Sequence, residues 1–520
     1  MVEAGSVSEN IPGTSIDAAA ATAGQLRRAI ASGTLTSADL TAFYLARTER
    51  LNPGLRAVIT VSESAAADAR ASDNARAGGQ PGAGGNAGTA ASAPGRPLEG
   101  IPVLIKDNIG VRGMPATAGS PALQDAENGD AFIVSRLREA GAIVLGKANL
   151  SEWANFRSTR SSSGWSALGG QAVNPYGQGR NPSGSSSGSA VAVAAGLAPL
   201  AIGSETDGSI ISPASACGIV GVKPTLGLVS RTGVVPISPA QDTAGPMTRS
   251  VADAAALLSA LAGADPADAA TAQAAGRPAD FTAFLDTGAL AGARIGVWRD
   301  GSAVAGPATV ALLDAAVATL RAGGAELIDP VEFADADKIG EPEFAALLHE
   351  FKHYLNAYLG ALPGSHPRTL AELITFNRNN ESTVLSVFGQ ELFEQAEATN
   401  GDLTDSAYLA TRGEANRLAT TALDGALQSH RLDAVVALSG SPAWLTDHVL
   451  GDHHMFGTSG PAAVAGYPAV SVPAGFVSGL PVGISFMGPA WSEPRLLALA
   501  YAFEQAGQAG ARPHHRGSVA

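Results

Sequence analysis

Cysteine is almost absent from this chain of 520 residues. Cys217 is the only one, so no intramolecular disulfide can form and no cysteine-based metal site exists. Set in an apolar segment, it reads first as a small buried hydrophobe and second as a catalytic thiol. Charge is scarce as well: 15% of residues are charged against 45% apolar, the formal net charge is −14, and lysine and arginine form no block. Nucleic acid is therefore not expected as a partner, because phosphate binding needs clustered cations. Long hydrophobic runs are missing too. The longest uncharged apolar stretch, SAVAVAAGLAPLAIG (189–203), contains Pro199 and is too short and too small in side chain to span a membrane. It is expected to form a buried helix followed by a buried strand, and no membrane partner is expected. The opening MVEAGSVSENIPG has no basic segment leading into an apolar core, so it does not read as a secretory leader. A cytoplasmic and an exported location both stay open.

What is present is an alternation of strand and helix signals. Ser37 can cap a helix with Leu40, Phe43, Tyr44 and Leu51 on its apolar face, ending at NPG (52–54). LRAVITV (55–61) is strand-like. Residues 77–97 are Gly/Ala/Pro-rich, cannot bury a core, and read as a flexible surface insertion. From residue 98 the pattern is IPVLIK (101–106) as strand, AFIVSRLREAG as helix closed by Gly141, and AIVLGK (142–147) as strand. ARIGVWR (293–299) and LDAVVAL (432–438) continue it, and AVSVPAG with LPVGISFMG gives two strands joined by a turn before a helix from Glu493. Residues 303–430 read as almost wholly helical, including the amphipathic FKHYLNAYL and VLSVFGQELFEQA. The expected class is α/β: a mixed β-sheet core covered by helices on both faces, with a helical lobe against one side.

Three patterns carry possible chemistry. HEFKH (349–353) matches H-E-x-x-H, whose i, i+4 spacing puts His349 and His353 on one helix face as zinc requires, with His366 or Glu381 as a third ligand. The plain alternative is a solvated helix with two incidental histidines. Gly184-Ser185-Ser186-Ser187-Gly188 matches G-x-S-x-G, but the residues before it, NPYGQGRNP, are a loop and not the strand that a nucleophile elbow needs; His453 and His454 lie downstream. The third pattern is the window 181–225. It holds two Ser/Gly loops with a helix and strand between them, and its ETDGSI loop offers consecutive backbone N–H groups from Thr206 to Ser209, a nest suited to an oxyanion. Lys106 ends an apolar strand at LIKDN, and a desolvated lysine can act as a base near neutral pH. A lysine, serines and a donor loop can transfer an acyl group without histidine; equally, Lys106 can reach for solvent and the serines can cap helices.

The window 181–225 resembles the amidase signature of serine hydrolases, and the likeness extends from about residue 15 to 510, the Gly-rich insertion apart. NLSEWANFR (149–157), SGWSALGGQ (163–171), ISPAQDTAGPM (237–247), FGQELF (388–393) and GPAWSEP (488–494) narrow it to bacterial peptide amidases. The resemblance implies one amidase domain over 1–520, with a signature core at 98–290, a helical lobe at 303–430 and a return to the core sheet at 431–510. It implies a Ser–cis-Ser–Lys triad of Ser209 as nucleophile, Ser185 as relay and Lys106 as base. It also implies oxyanion donors on the N–H groups of Thr206, Asp207, Gly208 and Ser209. No cofactor or metal is implied. The implied reaction is carboxamide hydrolysis, foremost of the C-terminal amide of a short peptide with release of ammonia, and otherwise of general aliphatic or aryl amides. A zinc peptidase on His349 and His353 and a non-catalytic binding protein are the remaining readings. Two departures stand out. Asp207-Gly208 replaces the Gly-Gly of many relatives, and Ile211 stands where many have arginine, which puts recognition of anionic substrates in doubt.

Overall fold

Apolar runs without polar alternation should become strands covered on both faces. In the computed structural model, which describes residues 10–78 and 96–507, they do. Pro102–Lys106, Ile143–Ala148, Leu200–Glu205, Thr243–Thr248, Ala434–Leu438 and Leu480–Met487 are buried at every residue. They belong to one eleven-stranded mixed sheet wrapped by helices. From one edge its order is Val58–Val61, Ile143–Ala148, Pro102–Lys106, Leu200–Glu205, Thr243–Thr248, Val220–Lys223, Ala469–Val477, Leu480–Met487, Ala434–Leu438, Arg294–Trp298 and Glu326–Val331.

Two groups of three strands run parallel, and the first builds the site. Ile143–Ala148, Pro102–Lys106 and Leu200–Glu205 are parallel neighbours, with Lys106 level with Ala148 and Ile105 level with Ile202. Their carboxyl ends therefore open at one rim of the sheet, where open α/β sheets bind ligands. The run 189–203 folds as expected into the buried helix Ser187–Ala194 and the strand Leu200–Glu205.

Several boundaries differ from expectation. The first long helix, Ser37–Leu55, is capped by Thr36, whose hydroxyl accepts from Asp39 N, while Ser37 Oγ turns inward to Gly100 O. It runs through Pro53 in its last turn and stops at Arg56 in the left-handed region. The expected helix at 384–396 is broken: one helix ends at Val384 and the next is Glu391–Ala398. The helical stretch 303–430 also contains the strand Glu326–Val331, the far edge of the sheet. Most of the expected insertion at 77–97 lies outside the described residues. No described helix is long and apolar enough to cross a membrane.

Candidate active site

Lys106 is the last residue of its strand and is fully buried. It does not reach for solvent. Its Nζ donates to Ser185 Oγ at 2.8 Å, to Ser204 Oγ at 2.9 Å and to Ser204 O at 3.1 Å. Burial pulls its pKa down to about 7, against the opposing pull of Glu205 and Asp242. At neutral pH the amine is thus available as a proton acceptor.

The serines of 183–189 are separated by what each hydroxyl touches. Ser186, the centre of the G-x-S-x-G pattern, donates to Ser204 O, Ser187 to Ser183 O and Ser189 to Ile202 O. Ser183 pairs with Ser212. Among them only Ser185 meets the lysine, and the Gly184–Ser185 peptide is cis. A Cβ at residue 184 would meet Ser151 Oγ, so a larger residue there would have to displace that hydroxyl. The elbow reading falls with Ser186, which is wholly buried and tied to backbone.

Ser209 follows the strand Leu200–Glu205 and precedes the short helix Ile211–Ala216. Glu205 fixes the turn between them: its Oε2 accepts from Ile210 N at 2.7 Å and Ile211 N at 3.0 Å. Thr206 Oγ1 donates to Asp242 Oδ1 at 2.6 Å, Gln241 Nε2 donates to Thr206 O at 3.3 Å, and Ser459 Oγ donates to Asp207. Gly208 has φ +74°, a left-handed conformation suited to glycine. Among the described residues nothing accepts from the backbone N–H groups of Thr206 to Ser209, and the Ser209 hydroxyl carries no hydrogen bond. Ser186 N donates to Ser209 O at 3.1 Å and so joins the two serine loops. Both loops line one cavity of about 740 Å³, within the range of roughly 300–1,000 Å³ usual for small-molecule sites.

The other candidates lie elsewhere. His353 Nδ1 sits 3.0 Å from Gly401 O, and the His349 ring packs beside Tyr408. Both ring nitrogens of His366 meet carbonyl oxygens, and Glu381 is exposed. The intervening Glu350 is held by Arg412 and Tyr408. Among the described residues no group of three His, Cys, Asp or Glu side chains could hold a metal ion. Burial pushes the Cys217 thiol far above its usual range, so it stays protonated.

A family model described as Amidase matches residues 39–497. The chain belongs to the amidase family. It is 40% identical to a probable amidase of Arabidopsis thaliana, over 94% of this chain and 90% of that protein. It is 35% identical to a component of the glutamyl-tRNA(Gln) amidotransferase of Deinococcus radiodurans, over 94% of this chain and 98% of that one. Among solved structures it is similar to native peptide amidase from Stenotrophomonas maltophilia, with TM-score 0.86, 47% identity, and coverage of 96% of this chain and 99% of that one. The chain is therefore an amide-hydrolysing enzyme with the amidase signature fold. Sequence reasoning missed several residues that hold Lys106 and the loop at 206–211, namely Ser204, Glu205, Gln241 and Asp242. The available signals were ISPAQDTAGPM, which contains Gln241 and Asp242, and Ser204-Glu205 directly before TDGS.

Proposed function

We propose that this amidase cleaves the C-terminal carboxamide of short peptides through an acyl-enzyme on Ser209. The observation that carries the reading is the buried Lys106–Ser185 hydrogen bond beside the Ser209 loop. Neutral Lys106 takes the Ser185 proton as Ser185 takes that of Ser209. Ser209 Oγ bonds to the amide carbon, and the carbonyl π electrons move to oxygen. The free N–H groups of 206–209 are suited to that oxyanion. Collapse breaks the C–N bond while the proton returns through Ser185 to nitrogen, and ammonia leaves. Water then attacks the acyl carbon by the same relay and frees the acid and Ser209. The Ser185–Ser209 link is absent from the resting hydrogen bonds. Such contacts commonly tighten only with substrate bound.

Internal and terminal amides present the same bond to the serine, so selection rests on space beyond the scissile nitrogen. A pocket closed there admits ammonia as leaving group and refuses a whole residue. The acyl side needs an open, partly apolar groove. Trp298, Trp444 and Leu347 line the cavity, and the segment 445–455 exposes Leu445, Val449, Leu450 and Met455 beside it. The resemblance puts forward the lobe from about 341 to 400, with Phe344, Phe351, Tyr354 and Phe388, as one wall of that groove, and none of the four is in the lining. Helix Gly340–Ala361 contributes Gly340, Glu343 and Leu347, whereas Phe351 and Phe388 are buried and absent from the lining. Phe351 packs on Phe156 and Phe393, and Phe388 stacks under Arg157. Mass spectrometry of an incubated peptide amide tests the reading. The expected product is the intact peptide acid with equimolar ammonia; internal fragments, or activity confined to non-peptide amides, would contradict it.

A further inference from the structure

We infer that the cavity in front of Ser209 selects substrates with a positive charge on the acyl side of the scissile amide, and that Glu343 and Asp207 are the carboxylates that meet it. This rests on the reading of that cavity as the substrate site. Its lining includes Asp207, Asp300, Asp337, Glu343 and Asp452, and no lysine or arginine. The lining histidine, His454, has its pKa lowered by burial and is neutral at neutral pH.

The five carboxylates are not equivalent. Asp452 is spent, with its two oxygens accepting from Asn181 Nδ2 at 3.1 Å and Ser163 N at 2.9 Å. Asp300 and Asp337 stand exposed at the cavity. Glu343 differs from both: it is 8% exposed, accepts from Gln241 Nε2 at 2.7 Å through Oε1, and leaves Oε2 without a donor. That oxygen receives no hydrogen bond from the protein, and a ligand N–H could supply one. Burial, and after it the charge of Asp207, hold Glu343 up at about 8. A cation placed between the two carboxylates would relieve both effects and draw the proton off Glu343.

The protein cations nearby do not fill this role. Arg412 lies behind Glu343 but is engaged by both oxygens of Glu350 and by Gln241. Lys223, whose charge acts on Asp207, is buried and donates to Tyr467 O at 2.6 Å. Lys106 is turned to Ser185 and Ser204. An anionic acyl group entering the cavity meets no exposed cation, and Ile211, two residues past Ser209, is buried and apolar.

The test measures binding in the Ser209→Ala variant by calorimetry, so that turnover does not enter. The ligands are acetyl-Ala-Lys-amide, acetyl-Ala-Met-amide, acetyl-Ala-Glu-amide and the unacetylated Ala-Met-amide. The lysine peptide should bind at least about tenfold tighter than the glutamate peptide, with methionine between them, and the gap should narrow with salt. A gain for unacetylated Ala-Met-amide assigns the cation to the peptide N-terminus, and a gain for the lysine peptide assigns it to the side chain. Adding Glu343→Gln should bring lysine and methionine peptides within about twofold of each other. Should that variant not fold, Asp207→Asn in the same Ser209→Ala background should shrink the same gap, and an unchanged gap would overturn the assignment. Equal affinities for lysine and glutamate peptides together with no gain for the unacetylated peptide, or tighter binding of glutamate, would overturn the inference. Ammonia release by the wild-type enzyme from the methionine peptide is scored separately, and its failure refutes hydrolysis and not charge selection.

Discussion

At the scale of single residues, function depends on which hydroxyl faces which group. Five serines crowd into 183–189, and composition cannot rank them. Ser185 is distinguished by Lys106 Nζ at 2.8 Å, while Ser189 is spent on Ile202 O. Ser209→Ala should lose at least about a thousandfold in kcat while the protein stays folded, because only binding and the oxyanion loop then remain. Ser185→Ala should lose orders of magnitude. Ser189→Ala should keep most activity and cost roughly 1 kcal/mol of stability for one hydrogen bond. Comparable losses at Ser185 and Ser189 would make both structural. Lys106 itself was only half legible. A strand-final lysine in LIKDN can point either way, and what turns it inward is Ser204 on the neighbouring parallel strand. That contact joins residues 98 positions apart.

At the scale of elements, the central strands Val220–Lys223 and Thr243–Thr248 are short or broken by Gly and Pro and were not read. Strands such as Pro102–Lys106, Ile143–Ala148 and Ala434–Leu438 were plain in the sequence because burial on both faces leaves continuous apolar runs. The edge strand Glu326–Val331 was hidden for the converse reason. It is largely exposed, carries Glu326, Asp329 and Pro330, and shows no apolar run. Phe351 and Phe388 were expected in the groove because helical periodicity shows an apolar face but not what covers it. The lobe is fixed to the site by a buried polar chain. Arg412, on helix Ser406–His430, meets Glu350 at 2.8 and 2.5 Å and Gln241 at 2.6 Å, and Gln241 meets Glu343 and Thr206 O. Arg412→Ala would leave Glu350 buried without its partner and should cost about 3–5 kcal/mol in urea unfolding. Replacing Glu350 and Arg412 together by methionine should recover most of that loss. A cost for Arg412→Ala below about 1 kcal/mol would show that the chain does not hold the lobe.

At the scale of the whole molecule, parallel strands bring buried Lys106 and the Ser209 loop to one rim, and segments from 154 to 461 line one cavity in front of Ser209. The central claim is that Ser209 attacks and that Lys106, through Ser185, is its base. The most direct measurement is the pH dependence of covalent labelling by a fluorophosphonate, with the modified residue mapped by mass spectrometry. The label should fall on Ser209. Lys106 must lose its proton to act as a base, so the labelling rate should rise as pH passes upward through about 7. Lys106→Ala should abolish that rise. Label on any other serine, or a rate indifferent to pH across that range, would contradict the account.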